Sequence, residues 1–449
     1  MRSQTRSPSY EIISVGDKGP AEWTPGDADY VVFVDAGAKL SNVFGEILAL
    51  ARDADVVYAD ESDPELPSGD AIVRKPGPSP ERLRCQYFWG SVVAYRTAFL
   101  EELGGFHAEL GSVALYDLAL RATRSGGDVR HIAEVVASKA GGPSLGKLRP
   151  EEVELARSVL EEHLAQTGGG RVTAIGLDGV HETRRPINGS PLVSLVIPTT
   201  GRWSAGVEHH SYLLDAVRSI VERTTYESYE LVVVHDDADP DVIAELEGIA
   251  VDRLRLVPWT RTFNFSGKIN LGALHARGEY LLILNDDVEL ITPDWIESML
   301  RLAQLPSAGA VGCMLYYEDG SIQHAGHHYW RGDAKHIGMT APSGSPGPLS
   351  GFRVEREVVG ITAACAMIER ELYLRVGGMT ELLPSAFNDV DLCMKLNAAG
   401  RVSYWTPAAE LFHFESKSRD PSVRRWEIDV AWGRWGSKMH APEFWPYPD

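Results

Sequence analysis

The second half of the chain alternates short, wholly apolar runs with stretches whose apolar residues recur at helical spacing. Leu192–Arg202 (LVSLVIPTTGR), Tyr229–Asp239 (YELVVVHDDAD) and Tyr280–Leu290 (YLLILNDDVEL) each open on an apolar run and stop abruptly at polar residues. Such runs, flanked by polar signals, predict strands buried on both faces. Helical spacing falls between them: about Tyr212–Arg223, the segment after Asp239-Pro240, the stretch NFSGKINLGALHARGEY that stops before Gly278, and Trp295–Leu305. A short strand near Leu254–Val257 and the run GAVGCMLYY complete the alternation. Strand and helix alternating through short connections predict an α/β domain with a Rossmann-like, mostly parallel sheet.

The first half carries the same signals more sparsely. Strands are predicted at Tyr10–Val15, at Tyr30–Leu40 (ending at Asp35), from Asp55 (DVVYADES), at Gly90–Tyr95 and at VRHIAEVVA. Helices are expected over Val43–Arg52, Tyr116–Thr123 and Glu151–Ala165, the last ended by TGGG. Residues 62–80 have the composition of a loop. RRPINGSP, Arg184–Pro191, has the composition of a linker and divides the chain into domains 1–185 and 186–449.

The two halves repeat one another. DADYVVFVDAGAKL lies over RGEYLLILNDDVEL, pairing Tyr30 with Tyr280, and LEELGGF…LYDLALRATRSGG lies over YLRVGGM…DVDLCMKLNAAGR, pairing Gly104-Gly105 with Gly377-Gly378. Two matched segments in one order set chance aside. The first half then resembles the later part of the second, without its initial strands. Asn285-Asp286-Asp287 lies over Asp35-Ala36-Gly37, so an acidic pair is lost. Asp391 lies over Asp117, each four residues before a basic partner, Lys395 or Arg121, a helical spacing that supports an ion pair. Asp389 lies over Leu115. The repeat keeps the structural pair and drops the acid beside it, which singles out Asp389.

Composition narrows the class. The apolar fraction of 44% and charged fraction of 24% are those of a globular protein, and 449 residues suffice for two domains. No apolar run has the length of a membrane span, and no apolar leader opens the sequence. Cys85, Cys313, Cys365 and Cys393 lack metal-ligand or disulfide-framework spacing, which fits a reducing, cytoplasmic setting. A formal charge of -20 argues against nucleic acid as a partner and against a broad hold on anionic lipid, while leaving room for local, peripheral attachment to a membrane.

The chemistry gathers at strand ends. Ligands of open α/β sheets bind at the carboxyl edge, and Asn285, Asp286 and Asp287 offer oxygen there to a hard cation or a sugar. Taken alone, the tripeptide is better explained by an Asn-Asp turn. Asp389 shares a helical stripe with Leu392, Cys393 and Leu396, where a carboxylate is costly unless used or paired; a capping acid is the plainer alternative. His413, after the strand-like AAELF, is a candidate metal ligand. Lys417 and Arg419 could hold phosphate oxygens, or simply face solvent.

From residue 191 to about 440 the chain resembles the inverting family 2 glycosyltransferases of GT-A fold. The motifs are SLVIPTTGR, YELVVVHDDAD, FNFSGKINLGALHARGEYLLILNDDVELITPDWIESM, GSIQHAG, AFNDVDLCMKL and ELFHFESKSR. The first half resembles the first module of two-module members, truncated, through YADES, LGGF and YDLALRAT. The resemblance implies transfer of a sugar from a nucleoside-diphosphate sugar to an acceptor hydroxyl, on a glycan, a lipid-linked glycan or a small molecule. It implies a base-and-ribose site at Pro198, Thr199 and Asp236 with Asp237 nearby, and donor contacts from Lys268, Asn270, Asn285, Asp286, Lys417 and Arg419. It further implies Mn2+ or Mg2+ on Asp287 and His413, and Asp389 as the base that deprotonates the acceptor. Asn285 departs from the aspartate usual at the first DxD position, and Thr380-Glu381 from the acidic residue usual after Gly-Gly. Two rivals stand beside this reading. A nucleotidyltransferase would want a glycine-rich basic loop after its first strand, where PTTGRWSAG offers only Gly201 and Arg202 close by. A nucleotide-sugar-binding scaffold without activity suits the first half, but the second keeps every acid that catalysis would need.

Overall fold

The computed structural model describes residues 8–15, 26–65, 72–142, 145–204, 210–331, 333–414, 423–439 and 443–446. The chain divides into two compact units. One is Met1–Arg185 joined by Pro348–Val354 and Phe444–Asp449; the other is Pro186–Gly347 with Glu355–Glu443.

The first unit runs β1 (Tyr10–Val15), β2 (Tyr30–Asp35), β3 (Lys39–Leu40), α1 (Phe44–Leu50), β4 (Val56–Ser62), β5 (Ile72–Val73), α2 (Pro80–Cys85), β6 (Val92–Arg96), α3 (Thr97–Glu102), α4 (Ala114–Arg124), β7 (Val129–Ser138), α5 (Val153–Gln166), β8 (Arg171–Ile175) and β9 (His181–Arg184). The second runs β10 (Val193–Thr199), α6 (Tyr212–Arg223), β11 (Tyr229–His235), α7 (Pro240–Ile249), β12 (Leu254–Pro258), α8 (Phe265–His275), β13 (Tyr280–Leu284), β14 (Val288–Leu290), α9 (Trp295–Ala303), β15 (Ala308–Tyr316), β16 (Ile322–His324), β17 (His327–Trp330), β18 (Asp333–His336), β19 (Arg356–Val358), β20 (Cys365–Glu369), α10 (Arg370–Arg375), α11 (Asn388–Ala398), β21 (Val402–His413) and α12 (Arg425–Trp435).

In the second unit the sheet order is β12-β11-β10-β13-β20-β15-β21-β14. The strands from β12 to β13 are parallel, so Thr199, His235 and Leu284 end on one edge. There the expected parallel pattern holds. Beyond it β20 enters antiparallel between β13 and β15, which makes the sheet mixed. An apolar run fixes burial but not strand direction, so this reversal has no signature in the hydrophobic pattern. The strands β10, β11 and β13 are almost wholly buried because helices cover both faces. On one of them α8 lies close: a Cβ on Gly272 would stand 2.4 Å from Val196 Cγ1, so glycine lets this helix seat against β10.

The first unit's sheet, β1-β2-β6-β4-β7-β3, follows the order β10-β13-β20-β15-β21-β14 strand for strand. The pairings agree in sense as well: parallel, antiparallel, antiparallel, parallel, antiparallel. Sequence comparison alone predicts a first unit without the initial strands. The structure corrects that by one, since β1 stands where β10 stands; along the path of the second sheet, β11 and β12 are the strands with no counterpart among the described residues. The Gly-Gly turns and their basic clamps repeat too. Gly104, Gly105, Gly377 and Gly378 all have positive φ, where glycine is unstrained. Arg121 bonds Asp117 and the carbonyl of Gly105, while Lys395 bonds Asp391 and the carbonyl of Gly378.

Candidate active site at the carboxyl edge of the second sheet

Three groups of side chains meet at the carboxyl ends of β10, β11 and β13. The first centres on Lys268 of α8, which is 1% exposed and so needs partners for its charge. Its ammonium donates to Thr199 O at 2.8 Å and pairs with Asp236 Oδ1 at 2.7 Å. α8 is set in place by Asn264, whose side chain caps it by accepting from Gly267 N at 2.8 Å. Asp286 faces this group. Burial and the neighbouring Asp287 push its carboxyl up to about 6, against the opposing pull of a Thr199 hydrogen bond and Lys268. Pro198 lies on β10 beside Val234, and Asp237 is exposed. Next to them an open groove of about 610 Å3 is lined by Asp236, Asp237, Trp259, Arg261 and Phe263. Arg261 stacks over the Trp259 ring at 4.2 Å. Sequence reasoning missed Trp259 and Arg261; their signal was that PWTR follows the third parallel strand, β12.

The second group is built on β21. Val288 pairs with His413, so the end of β21 is held against the residue after Asp287. His413 Nε2 lies 3.3 Å from Asp287 Oδ1 and 2.9 Å from Asn285 Nδ2. Gln323 settles the tautomer. Its Nε2 donates to His413 O at 3.2 Å, leaving Oε1 to accept from His413 Nδ1 at 2.6 Å. The proton therefore sits on Nδ1, and Nε2 turns a lone pair toward Asn285 and Asp287, with the Asn285 amide donating to it. A carboxylate beside an imidazole lone pair, the imidazole oriented from behind, is a donor set that fits Mn2+ or Mg2+. Gln323 lies in the GSIQHAG stretch, where the residue pattern alone assigns it no role.

The third group is Asp389 in the first turn of α11. The helix starts on Phe387, a non-glycine residue at φ 57, a left-handed conformation that side chains seldom adopt. That local strain is held from outside: buried Glu427 accepts from Ser385 N and Ala386 N, each at 3.0 Å, and Trp432 meets the Phe387 ring edge-on at 4.8 Å. Asp389 Oδ1 accepts from Val390 N at 2.8 Å and Oδ2 from Ala363 N at 3.4 Å. The fully buried carboxylate of this helix is Asp391, not Asp389. Burial would raise the Asp391 carboxyl, but hydrogen bonds from Thr380 and Trp435 and the Lys395 ammonium hold it below the usual range. Glu427 was missed because it lies 38 residues from Asp389 (427 − 389), beyond any local pattern.

Asn285, His413 and Asp389 line one cavity of about 280 Å3, together with Gln323, His327 and His336. Asn270 is not brought there. Its Oδ1 accepts from Tyr373 OH at 2.6 Å and Met379 N at 2.9 Å, and its Nδ2 donates to Met379 O at 2.9 Å. Expected on the donor side, it instead ties down the Gly377-Gly378 turn. Lys417 and Arg419 lie outside the described residues.

Residues 194–377 match the family model of glycosyl transferase family 2. The chain is 36% identical over 414 residues to the uncharacterized protein y4gI of Sinorhizobium fredii, covering 87% of this chain and 44% of that protein. It is 29% identical over 443 residues to the O-antigen biosynthesis protein RfbC of Myxococcus xanthus, covering 93% of this chain and 34% of that one. It is 29% identical over 160 residues to the N-acetylglucosaminyl-diphospho-decaprenol L-rhamnosyltransferase of Mycobacterium tuberculosis, covering 32% of this chain and 50% of that enzyme. The chain thus spans between a third and a half of the length of these relatives. The architecture is α/β with a mixed sheet, and the segment that matches the family 2 glycosyltransferase model runs from β10 to just past the end of α10.

Proposed function

We propose that this chain, which carries a family 2 glycosyltransferase domain over residues 194–377, transfers a sugar from a nucleoside-diphosphate sugar to an acceptor hydroxyl with inversion. The observation that carries the reading is that Asn285, His413 and Asp389, drawn from three distant stretches, line one cavity. The groove at Asp236, Trp259 and Arg261 takes the nucleoside, with ring stacking and a ribose contact from Asp236. Lys268 holds Asp236 and Thr199 in position. Asp286, which faces the same group, completes the ribose side. Asp287 and His413 hold a divalent cation, which when bound supplies positive charge to the leaving diphosphate.

Asp389 acts on the other substrate. Its carboxylate, held by the Val390 and Ala363 amides, accepts the proton of the incoming hydroxyl as that oxygen attacks the anomeric carbon. The sugar–phosphate bond breaks in the same displacement, and the diphosphate leaves with the bonding electrons. One base and no carboxylate assigned to covalent attack favour a single displacement, hence inversion.

For the first unit we infer a degenerate module that does no chemistry. The strand order it shares with the second unit makes the comparison residue by residue. In β7 the register Lys39↔Ser138 sets Lys139 opposite Ala38, as His413 stands opposite Val288. Lys139 pairs with Asp35, the residue over Asn285. A tethered ammonium thus takes the position of the imidazole ligand, and Leu115 takes that of the base.

Metal-dependent release of nucleoside diphosphate across a panel of sugar nucleotides tests the function. Asp287→Ala, folded by circular dichroism, abolishes that release if the proposal holds. Unchanged release removes Asp287 from the site. Nucleotide exchange with pyrophosphate would favour a nucleotidyltransferase instead.

A further inference from the structure

At the β17–β18 hairpin in the cavity wall, three imidazoles converge. His324 ends β16, His327 opens β17 and His336 ends β18. Gly326, at φ 98, turns the chain between the first two. His327 and His336 are direct cross-strand partners, which puts both on one face of the hairpin. Their ring centroids lie 4.8 Å apart, and each lies within 5.1 Å of the His324 ring. One nitrogen from each ring falls within 4.8 Å of the others. The Nδ1 atoms of His324 and His336 are 3.1 Å apart, close to the roughly 3.3 Å that separates two imidazole nitrogens on one tetrahedral zinc.

We propose that His324, His327 and His336 form a binding site for a divalent transition ion of the zinc or cobalt type, separate from the carboxylate site at Asp287.

The chemistry of the set selects this class. All three ligands are neutral nitrogen donors. Burial and the neighbouring imidazoles disfavour a proton on His324 and on His327. No carboxylate belongs to the triad. The charged groups that act on it are Arg356, which opposes a cation, and Asp389, which favours one. A hard ion such as Mg2+, bound mainly by charge, gains little here; a borderline ion bound through imidazole lone pairs gains most. His327 also has a buried Nδ1 without a hydrogen-bond partner, and the buried hydroxyl of Tyr329 is likewise unpartnered. Both flank Gly360, where an added Cβ would lie 3.2 Å from that Nδ1 and 2.5 Å from the Tyr329 hydroxyl. With the other nitrogen on a metal, His327 carries its proton on Nδ1. Loading costs two contacts: the His324 Nδ1–His336 Nδ1 hydrogen bond at 3.1 Å gives way to the ion, and one from Thr362 is lost. Thr362 N donates to His324 Nε2 at 3.3 Å, and a ring bound through Nδ1 gives up this long hydrogen bond because Nε2 then bears a proton. An ion held this way clips the hairpin to β16 and fixes the wall of the cavity that Asp389 shares with His327 and His336.

Titration of the full chain with Co2+, followed by its visible ligand-field bands, and with Zn2+ by calorimetry and metal analysis, tests the proposal. The expected result is one ion per chain, undisplaced by excess Mg2+ and retained by Asp287→Ala. His327→Ala and His336→Ala each weaken binding by about a hundredfold or more, as loss of a ligand should exceed loss of its supporting hydrogen bond. Wild-type protein that takes up no stoichiometric Co2+ or Zn2+ overturns the proposal whatever the variants do. Uptake that is lost in Asp287→Ala but kept in His336→Ala overturns it too, by moving the ion to the carboxylate site. Neither result bears on sugar transfer, which is read separately by nucleoside-diphosphate release.

Discussion

Asp286→Asn should make the protein more stable at neutral pH while weakening its hold on the sugar nucleotide. Burial and Asp287 raise the Asp286 carboxyl from an ordinary 3.8 to about 6. The folded state therefore keeps this proton up to about pH 6, whereas the unfolded chain releases it near 3.8. Between those values the native state binds more protons, so stability falls as pH rises, and the whole cost is present above about pH 6. A gap of about two pH units between the folded and unfolded titrations corresponds to about 3 kcal/mol. The side chain keeps partial contact with solvent, which reduces the figure to about 2 kcal/mol. Asparagine has nearly the same shape, keeps an oxygen for Thr199, and cannot ionise. The gain should therefore be about 2 kcal/mol at about pH 7.5 and close to zero at about pH 4. With a urea slope of about 3 kcal/mol per M, the unfolding midpoint at the higher pH moves up by about 0.7 M. Equilibrium urea unfolding of both proteins at the two pH values checks this. A variant destabilised at the higher pH, or an equal change at both pH values, would refute the argument that an unfavourable charge is stored at Asp286.

Three further outcomes follow from the site. Asp389→Asn should leave sugar-nucleotide binding nearly intact by calorimetry and slow transfer by about a hundredfold or more, because only the proton acceptor is removed; transfer near the wild-type rate would put the base elsewhere. Gln323→Ala should raise the Mn2+ concentration needed for half-maximal nucleoside-diphosphate release by about tenfold, since His413 loses the acceptor that fixes its tautomer; an unchanged Mn2+ titration would show that Gln323 does not orient the ligand. Asp35→Ala should leave donor turnover unchanged while removing the partner of Lys139 in the first unit; lost turnover would mean that the first unit takes part in chemistry.

Much of the second unit was legible in the sequence because its strands are buried on both faces and its helices are amphipathic. Tyr212–Arg223 and the strand ends at Thr199 and Leu284 fall where the pattern puts them. The repeat made Asp389 stand out against Asp391, and the two carboxylates do have different surroundings, one in the cavity and one locked between Lys395, Thr380 and Trp435. What stayed hidden depends on long-range contact. The antiparallel entry of β20 and the β8–β9 hairpin carry no directional signal in their apolar runs. Asn270 has the residue type of a ligand contact, yet its amide serves Tyr373 and Met379, more than a hundred residues away. Glu427 supports Asp389 from a helix that the hydrophobic pattern does not announce. The histidine cluster draws two of its members from the two strands of a hairpin, and only their register brings His327 opposite His336.

The most direct test of the central claim is a structure of the full chain with a sugar nucleotide and Mn2+. One nucleotide per chain should lie in the groove of Asp236 and Trp259, with the ion between its diphosphate, Asp287 and His413, and with Asp389 across the anomeric carbon from the leaving phosphate. A nucleotide beside Asp35, or an ion that leaves Asp287 and His413 untouched, would contradict it.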